Sequence, residues 1–224
     1  MKRKFLFTMF VLALSVVFIG CNKEEEKVTI TFTSDDITLD LGSTNADLLP
    51  FAKASDGSAV AVSGVNFDLA GEQTAIFTTG STSESKSVKI KADKLAGTYV
   101  ITVYMPDTSA IMIAGDGCIL HAVKGANYNQ INLATLMNSD DPKQFLPDLA
   151  TLVFTFVAEK ASIPTYTGGV LGISAPATAT YNFSDIVYGK DENGRYAIKS
   201  FIMNGTAQPY TPFSIKAELK KTKD

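Results

Sequence analysis

Apolar and polar residues alternate with a period of two along most of this chain, in short runs punctuated by Gly, Asn, Asp and Pro. That period places every second side chain on one face of a β-strand. Residues 28–33 and 37–41 alternate in this way, and Gly42-Ser43 closes the second run as a turn. A further turn at 55–58 precedes a run over 59–65, and residues 74–78 and 87–92 flank a hairpin loop of small polar residues at 79–83. Beyond a junction at 93–97, residues 98–105 open a second, more apolar series. Residues 111–114 and 118–123 read as hairpin strands around Gly115-Asp116-Gly117, and 152–157 as a core strand. Runs over 181–188, 196–203 and 212–219 close the series, with turns expected at 191–194 and at Asn204-Gly205, because Asn-Gly favours positive φ. One stretch departs from the period: within 131–150, Leu133, Leu136 and Met137 fall at the spacing of a helix face, and Asp141-Pro142 fits the start of a helical turn. The tail 220–224 reads as solvated. The expectation is an all-β chain, with a small sandwich over 28–93, a larger sandwich or barrel-like domain over 94–224, and one short helical segment.

The first residues have a different pattern. Lys2, Arg3 and Lys4 precede an apolar run over 5–19, which is the layout of a secretory signal. The run is shorter than the roughly 20 residues a helix needs to cross a bilayer. Phe18-Ile19-Gly20-Cys21 resembles the lipobox of bacterial lipoproteins, with small Gly20 at the cleavage position and the Cys21 thiol as acceptor of the lipid; Phe18 stands where Leu is more usual. Each buried methylene of a lipid chain contributes roughly 0.8 kcal/mol, so acylation at Cys21 would anchor the chain without a membrane-spanning helix. Residues 21–27 form a charged tether, Asn22-Lys23-Glu24-Glu25-Glu26-Lys27, too polar to pack. The tether is similar to the short Lys-plus-acidic export signal of surface lipoproteins in Bacteroidota-type bacteria. That likeness implies an outer-membrane address facing the cell exterior, the periplasmic face being the alternative.

Charge and cysteine content narrow the chemistry. The net charge is −3, and loss of the signal with its three cations would make it −6, which offers no basic face for nucleic acid. With Cys21 committed to lipid, Cys118 is the one remaining cysteine, so an intrachain disulfide is excluded. A Cys118–His121 catalytic pair is disfavoured, because residues three apart on a strand point to opposite faces. His121 is the single histidine and no Gly-x-Ser-x-Gly elbow is present, so a His-rich metal site and a serine triad have little to build on. Asp116, Asp140 and Asp141 lack the spacing of a calcium loop, and Asp140-Asp141-Pro142 reads better as a helix start. Paired carboxylates for glycoside hydrolysis carry no specificity among 23 acids. No cofactor, metal or catalytic residue is expected. Sugar binders stack rings on aromatics, and with no Trp in the chain the loop residues Tyr128, Tyr166 and Tyr210 are the ligand-binding candidates.

Ala70-Gly71-Glu72-Gln73-Thr74-Ala75-Ile76-Phe77 and Ser87-Val88-Lys89-Ile90-Lys91 make residues 28–93 resemble the small immunoglobulin-like modules of bacterial surface proteins. The order of acylated Cys, acidic tether, Ig-like module and larger β domain is similar to accessory lipoproteins of SusC/SusD-type importers. That resemblance implies a non-catalytic surface protein binding a glycan or peptide beside an outer-membrane importer. Two rivals stand beside it. One is a structural subunit of a surface assembly with protein partners only, marked by a long unpaired edge strand or a large apolar patch. The other is a lipocalin-like barrel holding an apolar ligand, prompted by Leu95-Ala96-Gly97-Thr98-Tyr99 and marked by a closed barrel with an internal cavity.

Overall fold

The computed structural model describes residues 27–104, 111–113, 119–137, 152–169, 178–206 and 212–224. The signal segment, Cys21, the turn with Asp116, Cys118, residues 138–151 with Asp140 and Asp141, and Tyr210 lie outside them.

The chain is all-β. The N-terminal module contains β1 (Ile30–Phe32), β2 (Ile37–Asp40), the short helix α1 (Asn45–Leu48), β3 (Ala52–Ala54), β4 (Ala61–Ser63), β5 (Gly71–Thr79) and β6 (Thr82–Lys91). β1 pairs with β3, while the second sheet runs β2-β6-β5-β4, with β2 parallel to β6 and the other pairs antiparallel. Alternation along β5 and β6 turns Ala75, Phe77, Val88 and Ile90 inward, all without solvent contact. The Phe32 ring meets Phe77 edge-on at 5.0 Å and joins the two sheets. Leu41 and Leu48 complete this core. α1 starts at Thr44, where the Asp47 carboxylate accepts the Thr44 backbone N–H at 2.8 Å, and continues into a 3-10 turn over Leu49–Phe51.

The second half is one sheet that closes on itself. It contains β7 (Gly97–Tyr104), β8 (Ile111–Ile113), β9 (Ile119–Lys124), β10 (Gln130–Met137), β11 (Val153–Val157), β12 (Lys160–Ser162), β13 (Tyr166–Gly169), β14 (Thr178–Lys190), β15 (Tyr196–Thr206) and β16 (Phe213–Lys223). β8 and β9 follow one another along the same side of β7 and act as one stave. β12 and β13 are likewise two halves of one stave: β12 pairs with β11, β13 pairs with β14, and residues 163–165 join them. The last strand, β16, pairs with the first, β7. Among the described residues eight antiparallel staves, the last bonded to the first and the split stave bonded to β11 through β12 and to β14 through β13, make an up-and-down barrel. This resolves the sandwich-or-barrel alternative.

Among the described residues, side chains fill its interior. Tyr99, Ile101, Phe154, Phe156, Phe201, Ile215 and Ala217 have no accessible surface, so no water-sized void touches them. Rings from distant staves meet inside: Phe154 on Phe201 at 5.6 Å and Phe156 on Tyr188 at 4.7 Å, both edge-on. Tyr99 Oη donates to Leu95 O at 2.5 Å and accepts from Ile198 N–H at 3.3 Å, which satisfies the hydroxyl that burial would otherwise strand.

Several expectations are corrected. Among the described residues helical turns lie at 45–51 and 93–95; of the stretch expected to hold a helix, 138–150 lie outside the described residues and 130–137 form a strand. The cause is a bulge: Leu133 pairs with Ala122 and Thr135 with His121, so Ala134 is an extra residue. A three-residue spacing across a bulge has the appearance of a helix face. The segments 111–113 and 119–124 do not pair with each other, since both lie along β7. Asn204-Gly205 is inside β15, paired with Ser214 and Phe213; the glycine is there because the Phe213 ring lies where a Cβ would project. The loop at 79–83 contracts to a two-residue turn, Gly80-Ser81. The tail is exposed at Lys220 and over 222–224 as expected, but it is strand and not a loose end: β16 runs to Lys223, and Lys221 is 1% exposed.

Candidate functional site

The module and the barrel meet over one end of the barrel, and charged and aromatic residues on both sides hold the joint. Asp68 accepts hydrogen bonds from Tyr196 Oη and, at 2.8 Å, from Lys190 Nζ. The Lys190 ammonium, with Tyr196 second, holds the Asp68 carboxyl below its ordinary pKa, while burial pushes the Tyr196 phenol up. The Tyr196 ring also packs on the open face of Gly42, where a Cβ would sit 3.1 Å from its hydroxyl. Lys94 Nζ donates to Leu41 O at 2.6 Å, and Ala92 N–H donates to Tyr128 O at 2.8 Å. The closest approach is at Gly71, φ +115°: a Cβ there would lie 2.6 Å from Ala158 N and 2.7 Å from Phe156 O. Only glycine lets the start of β5 touch the turn after β11.

Beside this joint opens a groove of about 1010 Å³. Asp40 and Lys91 line its module wall; Thr98, His121, Lys124 and Arg195 line its barrel wall. Most of its charges are paired: Lys91 to Asp40 at 2.9 Å, Lys124 to Asp93 at 2.7 Å and Arg195 to Asp191 at 3.0 Å. Asp40 draws the Lys91 pKa upward through that hydrogen bond. The His121 Nδ1 lies 3.3 Å from Thr98 Oγ1. The wall therefore carries charges of both signs and hydrogen-bonding groups set in apolar surface, with Ala96, Ala122 and Val123 among its lining. Such a surface offers both apolar contact and directional hydrogen bonds, the combination a glycan or peptide uses.

At the floor lies the buried ammonium of Lys221. It donates to Lys94 O at 2.8 Å and Tyr196 O at 3.1 Å, and pairs with Asp224 at 2.7 Å. Arg195 Nη2 donates to Lys221 O at 2.5 Å and so pins the backbone beside it. Gly97, φ +146°, makes room for this stem: a Cβ there would lie 2.5 Å from Lys221 Cε.

The structure separates the tyrosines singled out by sequence. Tyr128 sits in the turn between β9 and β10, half-buried, with Lys89 Nζ 5.7 Å from its ring; its pKa is raised by burial. Tyr166 is on β13 and stacks on Tyr181 at 6.2 Å, and its ring covers Gly168. Both rings are partly exposed, and Tyr166 packs against the core. His121 lines the groove. Among the described residues no group of three or more His, Cys, Asp or Glu is placed to hold a metal ion. Sequence reasoning missed Tyr196, Asp68 and Lys221. Only Lys221 had a signal, since Ile215, Ala217, Leu219 and Lys221 continue one inward face at a period of two.

Compared with protein-family models, with curated proteins and with solved structures, the chain matches none.

Proposed function

We propose that this chain is a lipid-anchored, non-catalytic cell-surface protein that binds an extracellular glycan or peptide beside an outer-membrane importer. The anchor is Cys21, behind the signal-like leader. The observation that carries the binding reading is the groove, with charged and hydrogen-bonding residues on both walls, between two β modules that are bonded to each other beside it. A rigid cleft with paired charges offers directional hydrogen bonds to hydroxyls or amides at little ordering cost.

The rival readings draw less support. The barrel has the strand order a lipocalin-like reading asks for, but side chains occupy its interior along the described staves. The assembly-subunit reading asks for a long free edge or a broad apolar patch. Among the described residues the free edges of the barrel sheet are those of β12 and β13, three and four residues long, the module's edge strands β2 and β4 have four and three residues, and the exposed apolar residues, such as Val123 and Val187, are scattered.

The test is a glycan array and a peptide array probed with residues 22–224. A Val123→Trp variant, which narrows the groove from a half-exposed position, accompanies them. Binding by the parent and at least a tenfold loss in the variant, with circular dichroism unchanged, is the expected result. No binding on either array removes the direct-binder reading. Protease shaving of intact cells distinguishes an exterior from a periplasmic address.

A further inference from the structure

The charges of the groove are unequally satisfied. Among the described residues five Lys or Arg line it against three Asp, an excess of two positive charges in a chain whose net charge is −3. Composition does not force this, because acidic residues outnumber Lys and Arg by 23 to 20 overall. A concave protein wall focuses the field of such an excess toward an arriving anion.

Where each cation is already engaged decides which are available. Arg195 is held by the protein: Nε and Nη2 reach the Asp191 carboxylate at 3.1 and 3.0 Å, and Nη1 and Nη2 reach the carbonyls of Thr222 and Lys221. Lys221 is buried, and Lys91 is tied to Asp40. Lys94 is different. It is exposed, its ammonium donates to Leu41 O at 2.6 Å and lies 6.0 Å from the Tyr196 ring, and no carboxylate among the described residues pairs with it. Two of its three N–H donors are therefore left for a ligand. Lys124 pairs with Asp93 but is 66% exposed against 23% for its partner, so a ligand meets the cation first. His121 spends Nδ1 on Thr98 and has no hydrogen bond at Nε2 among the described residues. The carboxylates of Asp40 and Asp224 each already hold an ammonium. What remains on the walls is mostly donor and positive, and its complement is an acceptor with negative charge.

The same walls distinguish a glycan from an acidic peptide. β7 and β9, which supply Thr98 and His121, are each bonded to a neighbour on both sides, so they leave no backbone row for a peptide to join as an added strand. A sugar ring brings hydroxyls for the donors, an apolar face for Ala96, Ala122 and Val123, and an acid group at a fixed distance from both.

We infer that the groove takes an anionic glycan, whose ring carboxylate or sulfate pairs with Lys94 while Lys124 and His121 meet neighbouring oxygens. The inference rests on the reading of this groove as the ligand site, and adds the sign of the ligand's charge and the residue that reads it.

The full chain, held in detergent, is probed on an array of neutral, carboxylated and sulfated glycans with hexaglutamate beside them, and each retained glycan is titrated by calorimetry. Retention of anionic glycans is the expected result, with a loss of about tenfold or more once the acid is removed by carboxyl reduction or by desulfation; the treatment that acts identifies the acid. Lys94→Gln, which keeps a donor for Leu41 O, should weaken binding about tenfold, and Lys94→Arg should keep most of it. Lys53→Gln removes the same charge from β3, outside the groove, and should leave the affinity unchanged. Glycans bound equally well with and without their acid group overturn the charge assignment and leave the glycan reading standing. Equal losses in Lys94→Gln and Lys53→Gln overturn it in favour of diffuse attraction. Retention of hexaglutamate without any glycan overturns it in favour of an acidic peptide. Retention of nothing removes the ligand-binding reading, and this inference with it.

Discussion

The module and the barrel are both built from period-two strands, yet they solve the edge problem in opposite ways. The barrel pairs its last stave with its first and leaves, among the described residues, only the short edges of β12 and β13 unpaired. The module keeps β2 as a free edge and lines the β2–β6 pair with charge: Lys86–Asp35, Lys89–Asp36 and Lys91–Asp40, at 2.7, 2.9 and 2.9 Å. The barrel buries rings, whereas the module buries mostly aliphatic side chains around one Phe–Phe contact. Closure concentrates stability in aromatic packing; an open sandwich depends more on its docking to a neighbour. Buried residues of the two halves nonetheless form one continuous apolar cluster, which predicts a single cooperative unfolding transition.

The strongest way to break this comparison is to empty the barrel. Phe154 is without solvent contact and touches the rings of Phe156 and Phe201. Phe154→Ala should cost about 3–5 kcal/mol by chemical denaturation, against about 1 kcal/mol for Val88→Ala in the smaller module core. Equal losses would show that the aromatic interior is not where the stability lies. Lys221→Ala should come next, at about 3 kcal/mol, because it strands the carbonyls of Lys94 and Tyr196 and a carboxylate. Lys221→Met keeps the stem and should recover part of that loss. If the two variants are equally stable, the stem contributes nothing and the whole loss belongs to the ammonium; a Met variant as stable as the parent would show that the ammonium contributes nothing beyond its stem.

How much of this was legible in sequence follows from which residues act locally. Strand identity was readable wherever alternation was unbroken, as in β5, β7 and β11. It failed at Ala134, because a bulge inserts one residue and the resulting spacing matches a helical one. Gly71 was noticed as part of a pattern, but its reason, the backbone of Ala158, is 87 residues away and invisible locally. Asn204-Gly205 is the converse case: a strong local turn signal overruled by the Phe213 ring. The joint was unreadable, since Asp68 and Tyr196 are 128 residues apart and neither belongs to a motif. The groove was therefore not predicted, although His121 on its wall was singled out.

Gly71→Ala tests the docking half of the comparison. A Cβ at φ +115° strains the backbone and pushes on Ala158 and Phe156, which should cost about 2 kcal/mol. The specific expectation is that the single calorimetric transition broadens or splits as the module loosens from the barrel. A uniform shift of one sharp peak would place the effect in β5 itself.

Alkaline titration offers a smaller and more selective effect. Burial pushes the Tyr188 hydroxyl up to about 12, and it donates to Ala158 O at 2.6 Å beside the same joint. Burial also raises Tyr99. A phenol whose pKa is higher folded than unfolded favours the neutral form. Its contribution is complete below the unfolded value near 10 and is lost as pH rises toward the folded one. Stability should therefore hold to about pH 10 and fall between there and 12. Tyr188→Phe should lower stability by about 1 kcal/mol at neutral pH, through the lost hydrogen bond, and flatten part of the alkaline decline. An unchanged alkaline profile would assign the decline to Tyr99 instead.

The smallest expected effect belongs to the charged edge, and its smallness is what the comparison requires. Lys91 is about one-third exposed and its Asp40 partner about one-half. An ion pair that wet gains little over two hydrated ions, so Lys91→Ala should change stability by less than about 1 kcal/mol, and by less still at high salt. If the pairs along β2 and β6 instead act to keep a free edge from pairing with other chains, their loss should appear elsewhere. Removing Lys86, Lys89 and Lys91 together should leave the denaturation midpoint nearly unchanged while raising self-association in light scattering at low salt. A triple variant that stays monomeric yet unfolds much more readily would mean that the ladder stabilises the sandwich, and that the module needs its charges as the barrel needs its rings.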